Sequence, residues 1–158
     1  MIFFLGFLQT LSLTLWLGAI VFFSFLVAPA AFSALPSRHL AGTLVSLVLT
    51  RLHQMGMVAG LLYLASGVVL SAVAPLAPRV LSPRHLLVVL MLVLTMASQW
   101  FVSPRLVALR GEMVSIDATP ADSPLRVEFN RLHRWSVWLE AGTLLLGLAA
   151  LFAHLKKP

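Results

Sequence analysis

The chain has 158 residues, 60% of them hydrophobic and only 10% charged, with a mean hydropathy of +1.00. A soluble domain carries about 25% charged residues, so this composition excludes an ordinary water-soluble domain and fits one membrane-embedded domain. The net charge of +6 would signal nucleic acid in a soluble protein, but here the basic residues stand at helix ends and loops, where anionic head groups account for them, and no nucleic-acid partner is expected.

Four stretches are long enough to cross a bilayer. Met1 to Ser37, Leu52 to Pro78 and His85 to Pro104 contain no Asp, Glu, Lys or Arg, and between Trp135 and Leu155 only Glu140 breaks the run. A helix needs about 20 residues to span the hydrocarbon core. None of the runs shows the apolar/polar alternation of barrel strands. The expected fold is therefore all-α, a four-transmembrane-helix bundle forming a single integral membrane domain over 1–158, with helices at about 2–32, 52–75, 84–103 and 124–154. Without cysteine, the chain has no disulfide, thiolate metal site or cysteine nucleophile.

In the first run, Ala28-Pro29-Ala30 has the form of a signal-peptidase site. No positive charge precedes it, and the run is about twice the usual ~7–15 residues, so it reads as an uncleaved helix. Pro36 and Ser37 make a turn. A helix then starts near His39, outside or along the surface, and continues into the second span. Pro75, Pro78 and Pro83, with Arg79 and Arg84, form the next loop. Beyond Pro104, "RLVALRGEMVSID" carries Leu106, Val107, Leu109 and Met113 at helical spacing with Arg110 and Glu112 between. That is the pattern of a short interfacial amphipathic helix between the third and fourth spans. Asp122 or Ser123 ahead of Pro124 predicts a capped fourth helix with proline at its start. Four crossings place both termini on one side. The odd loops hold Arg38, Arg51, Arg105, Arg110, Arg126, Arg131 and Arg134 against Arg79, Arg84, Lys156 and Lys157 on the other side, which predicts non-cytoplasmic termini.

The fourth span opens with "FNRLHRWSVWLE", residues 129–140. At 100° per residue, Arg126, His133 and Glu140 stay within about 40° of one another, with Phe129 and Ser136 on the same stripe. Arg131, Arg134, Trp135 and Trp138 fall on the other side and suit the head-group zone. The His133–Ser136–Glu140 face therefore looks into the bundle. In the second span His53, Gly56, Gly60, Gly67 and Ser71 share a face whose small residues permit close helix contact. Gln99 ends the third span at a similar depth. The expected polar intramembrane cluster is His53, Gln99, His133, Ser136 and Glu140.

An ionisable group within a membrane costs about 2.5–3.5 kcal/mol on insertion scales and is a functional candidate. His53 and His133 are candidate axial ligands of a haem or another tetrapyrrole, and the His/Glu set is a candidate site for a divalent metal. Glu140 and His133 are equally placed to relay protons or bind an organic cation. Against these stands the plainer reading that the cluster only locks helix packing through hydrogen bonds. His39, His85 and His154 fall at the predicted membrane edges and read as solvated. Tyr63 and the ten phenylalanines read as packing or lipid contact, and Trp16 as core or interface. No HExxH, phosphate-loop or nucleophile-elbow motif occurs.

"LWLGAIVFFSFLVAPAAFSALPSRHLAG" (15–42) together with residues 129–140 resembles the family named DUF4149, that of the eukaryotic transmembrane protein 205 and small bacterial relatives. The most specific pieces are Trp16-x-Gly18, Ala28-Pro29-x-x-Phe32 and Phe129-x-x-Leu132-His133-x-x-Ser136. The resemblance implies a small multi-pass membrane protein with no established reaction. It also implies an asparagine where Glu140 stands and aromatic residues near His53, so this chain departs at both positions. By architecture alone the chain is similar to four-helix copper-resistance domains and membrane protoporphyrinogen oxidases.

The leading expectation is an accessory or structural subunit of a larger membrane complex, contacting lipid and either other subunits or itself through the glycine face of the second span and the apolar outer faces. The alternative is a tetrapyrrole-, metal- or cation-binding protein using the His/Glu cluster. A haem-dependent membrane oxidase ranks third.

Overall fold

The computed structural model of the chain describes residues 1–74 and 82–155. Four long helices account for nearly all of them: α1, Ile2–Ala34; α2, Arg38–Val73; α3, Pro83–Glu112; and α4, Pro124–Leu155. No strand occurs among the described residues. Each helix has 30 to 36 residues, so each is long and apolar enough to cross a membrane. The predicted second-span boundary at Pro75, and the charges Arg79, Lys156 and Lys157 used to orient the chain, lie outside the described residues.

Local chemistry sets the helix starts. Ser37, in extended backbone, accepts the Leu40 N–H at 3.2 Å and caps α2. Ser123 does the same for the Arg126 N–H at 3.3 Å, and Pro124 begins α4, where a missing N–H leaves nothing unmet. The segment expected to begin near His39 and the second span form one unbroken helix.

Pro104, which read as a helix end, is instead carried inside a helix, as Pro29 is near the far end of the first span. Phe23–Val27 in α1 and Ser98–Val102 in α3 are π-helical, and Pro29 and Pro104 lie just beyond them. A proline gives no N–H to the carbonyl four residues back and its ring crowds that carbonyl. The wider π turn supplies the slack that lets the helix continue. Consequently Ser103–Glu112 is the last part of α3 and not a separate interfacial helix. Its inward residues Leu106 and Leu109 join Met113, Ile116 and Phe129 in a small apolar cluster.

The most extensive packing is within the α1–α2 and α3–α4 hairpins. The main core surrounds Trp16, with Leu13, Leu17, Ile20, Tyr63, Val88 and Met91. Glycines make it possible. A Cβ on Gly56 would stand 2.2 Å from the Trp16 indole nitrogen, one on Gly60 2.7 Å from Leu92, and one on Gly147 2.4 Å from Leu17. The glycine face of α2 is thus filled from within the chain, and is not the surface for outside partners that the sequence suggested. The outer faces are apolar, with Phe3, Phe101 and Trp138 among the exposed side chains, as lipid contact requires.

α1 and α4 part company along their length. Ile2–Phe22 packs on α4, whereas Ala28–Ala34 follows α2. The divergence lies toward the end of the bundle that carries the 35–37 and 113–123 connections, called here the loop end. The opposite end, where α1 starts and α4 finishes, is the termini end.

Candidate functional site

Three members of the expected cluster meet at mid-helix. His53 is 1% exposed, and its ring bridges two neighbouring helices. Nδ1 stands 2.9 Å from Gln99 Oε1, and Nε2 stands 3.2 Å from Glu140 Oε2. Gln99 reaches this position from the π segment of α3. The ring thus ties α2 to both α3 and α4 through polar contacts on its two nitrogens, the kind of pairing that holds polar side chains inside a membrane bundle. Glu140 is 12% exposed, and its second oxygen, Oε1, is buried with no hydrogen-bond partner among the described residues.

The other two members lie farther along α4. Ser136 is buried, and the His133 ring stacks parallel on Phe129 with centroids 6.3 Å apart. The structure does not bring His53 and His133 together: His133 lines a cavity whose walls do not include His53. Both nitrogens of His53 already face protein groups, so an axial pair would require that ring to abandon Gln99 or Glu140. Among the described residues no group of three or more His, Asp or Glu side chains is placed to hold a metal ion.

The cavity is the larger finding. It has a volume of about 640 Å³ and fills the gap where α1 and α4 diverge, bounded by α2, the end of α3 and Ile116. Ile20 and Phe23 of the main core form one end, and Leu106 and Phe129 of the smaller cluster the other. Phe25, Phe32 and Val137 line it while remaining exposed, which marks an opening between α1 and α4 toward lipid. Four of its polar groups lie along one line on α4, Arg126, His133, Ser136 and Glu140, and Ser24, Arg38, Ser46 and Arg110 add others from the facing helices. Arg126 and Glu140 are separated by roughly 21 Å of helical rise. A second groove of about 750 Å³ runs between α2 and the end of α3 and shares Ser46 and Arg110 with the first.

Sequence reasoning missed Arg110, which looked like the polar side of an amphipathic helix. It is more than nine-tenths buried. Its Nη1 donates to Ser46 Oγ at 2.9 Å, its guanidinium lies 5.6 Å from the Phe129 ring centre, and its Nε has no partner among the described residues. Gly42 leaves it room, since a Cβ there would meet Nη2 at 3.2 Å. Arg126 donates from Nη1 to the Ile116 carbonyl.

A second polar cluster, at the termini end, was also missed. His85 and His154 are not solvated edge residues. His85 is buried, with Nδ1 2.7 Å from Ser82 Oγ and its ring edge-on to Tyr63. His154 lies between Thr10 Oγ1 at 3.0 Å and the Tyr63 hydroxyl at 3.2 Å, and Gln9 donates to the Tyr63 carbonyl at 3.3 Å. Gly67 creates the space, because a Cβ there would stand 2.3 Å from His85 Nε2. These residues come from all four helices. The one signal available was that each polar residue lies near the termini end of its own helix.

Four long apolar helices packed around an internal polar site define a small multi-pass integral membrane protein. The chain belongs to the family described as "Domain of unknown function (DUF4149)", which it matches over residues 11–115, more than half its length. The matched part holds Trp16, His53, Gln99 and Arg110, and α4 lies beyond it. No curated protein and no solved structure matches the chain.

Proposed function

We propose that the protein binds a membrane-borne amphiphile in the cavity between α1 and α4, with Glu140 as the polar contact at the inner end. The observation that carries this is Glu140 Oε1, an acceptor without a protein partner on a residue lining an otherwise largely apolar space. A buried polar atom left unsatisfied costs about 1–3 kcal/mol. A hydroxyl or amine on a ligand would remove that cost. The volume falls within the roughly 300–1,000 Å³ of small-molecule sites, and the opening faces the phase in which amphiphiles dissolve. His53 and Gln99 are positioning residues, fixing the carboxyl from behind.

The reading as an accessory subunit loses the α2 glycines as an association surface, because Trp16, Leu92 and His85 of the same chain occupy that face, and rests on the apolar outer faces alone. The test is native mass spectrometry of protein released gently from its own membrane, beside Ala141→Trp, which fills the cavity from α4. A small molecule retained by the wild type and lost from the variant is the expected result. Identical spectra, with no retained small molecule in either, would contradict the proposal.

A further inference from the structure

Arg38, Arg110 and Arg126 line the cavity at the loop end, and among the described residues none of them forms an ion pair with a carboxylate. The five acids are placed otherwise: Glu112 and Glu128 meet Arg105, Asp117 accepts the His39 N–H, Glu140 pairs with His53, and Asp122 is exposed and forms no ion pair among the described residues. Arg110 is the decisive member. A guanidinium cannot shed its proton, and a charge this deeply buried is costly unless an opposite charge and hydrogen bonds compensate it. Here Ser46 and the Phe129 ring offer only partial compensation, and Nε is left over. A planar fork of donors without its acid, at the polar end of an apolar cavity, is complementary to an anionic oxygen group.

Resting on the ligand-binding reading above, we infer that Arg110, Arg126 and Arg38 are the head-group site for an anionic single-chain amphiphile, a carboxylate or phosphate monoester whose chain runs toward Glu140. The dimensions fit a single chain. The distance of roughly 21 Å from Arg126 to Glu140 exceeds the ~15 Å that one leaflet contributes to the hydrocarbon core. Spread over that length, the volume corresponds to a mean cross-section of roughly 30 Å², room for a hydrocarbon chain. The aromatic walls, Phe23, Phe25, Phe32 and Phe129, suit such a chain, and Glu140 meets a donor group near its far end.

The experiment titrates delipidated full-length protein in detergent with four probes, namely hexadecanoate, hexadecyl phosphate and 1-hexadecanol, each bearing a hydroxyl on its terminal carbon to meet Glu140, and inorganic phosphate, reading bound stoichiometry and Kd. The two acidic amphiphiles are expected to bind about tenfold to a hundredfold more tightly than the alcohol, the range for hydrogen bonds to charged groups. Arg110→Gln is expected to erase that preference. Arg126→Gln, at a less buried position, is expected to reduce it, and serves if Arg110→Gln fails to fold. Equal affinity for acid and alcohol would overturn the head-group site while leaving the cavity as a binding site. Inorganic phosphate binding as tightly as hexadecyl phosphate would also overturn it, since the site would then take a free anion. Failure of all three amphiphiles to bind would remove the underlying ligand-binding reading.

Discussion

At the termini end, Gln9, Thr10, Tyr63, His85 and His154 converge from four helices, and the groups around Tyr63 meet one another within a packed core. At the loop end, Arg38, Arg110, Arg126, His133, Ser136 and Glu140 surround a cavity of about 640 Å³, and buried donor and acceptor atoms on Arg110 and Glu140 lack protein partners. Both regions place ionisable side chains inside a bundle of apolar helices, so polarity alone does not separate glue from a binding site. Satisfaction does. In the first region the contacts around Tyr63 run from one protein group to another, as interhelical polar contacts in lipid do, whereas in the second Arg110 Nε and Glu140 Oε1 are left over on residues that line the cavity.

Glycine substitutions should break this comparison most sharply. Gly56→Ala forces a methyl against the Trp16 indole, a ring with little room to move. Overpacking of this kind costs about 3 kcal/mol, so a large fall in thermal stability followed by circular dichroism is expected. The matching change at the loop end, Gly42→Ala, meets only the mobile guanidinium of Arg110 at 3.2 Å. Its expected stability change is within about 0.5 kcal/mol, with weakened binding of hexadecanoate. Equal losses of stability for the two would mean that the loop end is packed as firmly as the rest.

The central pair yields the next effect. His53→Ala leaves the Glu140 carboxyl without its partner, and removing one member of a buried pair costs about 3 kcal/mol. Adding Glu140→Ala to it should restore part of the loss, measured as a double-mutant cycle. If the double variant is no more stable than His53→Ala, the His53 ring matters for its packing and not for the carboxyl. The smallest effect belongs to the termini end. Tyr63→Phe removes one hydrogen bond to His154, worth about 0.6 kcal/mol and at most ~1.7, and amphiphile binding should not change.

Sequence revealed the four spans because an apolar, charge-free run of membrane length is what a lipid-crossing helix demands, and the seven-residue spacing of Arg126, His133 and Glu140 correctly placed one polar stripe on α4 facing inward. Gln99 and His53 were legible by depth and face. The rest depends on how helices meet, which periodicity within a single helix does not encode. His85 and His154 looked like edge residues because Arg84 and the KKP ending flank them, yet Gly67 lets one sink into the core and Tyr63 captures the other. Pro104 looked like a helix end because the π turn that absorbs it leaves no sequence pattern beyond the proline itself. That error also hid Arg110, since a separate surface helix would have kept its guanidinium in water.

The central claim is that the loop end is a ligand site and the termini end is structural. Its most direct test compares the binding of hexadecanoate to wild type, Ala141→Trp and Tyr63→Phe by native mass spectrometry, with thermal unfolding of each to confirm that it is folded. Stoichiometric binding retained by Tyr63→Phe and lost in a folded Ala141→Trp is the expected result. Undiminished binding to Ala141→Trp would contradict the claim, because the ligand would then lie somewhere other than the cavity between α1 and α4.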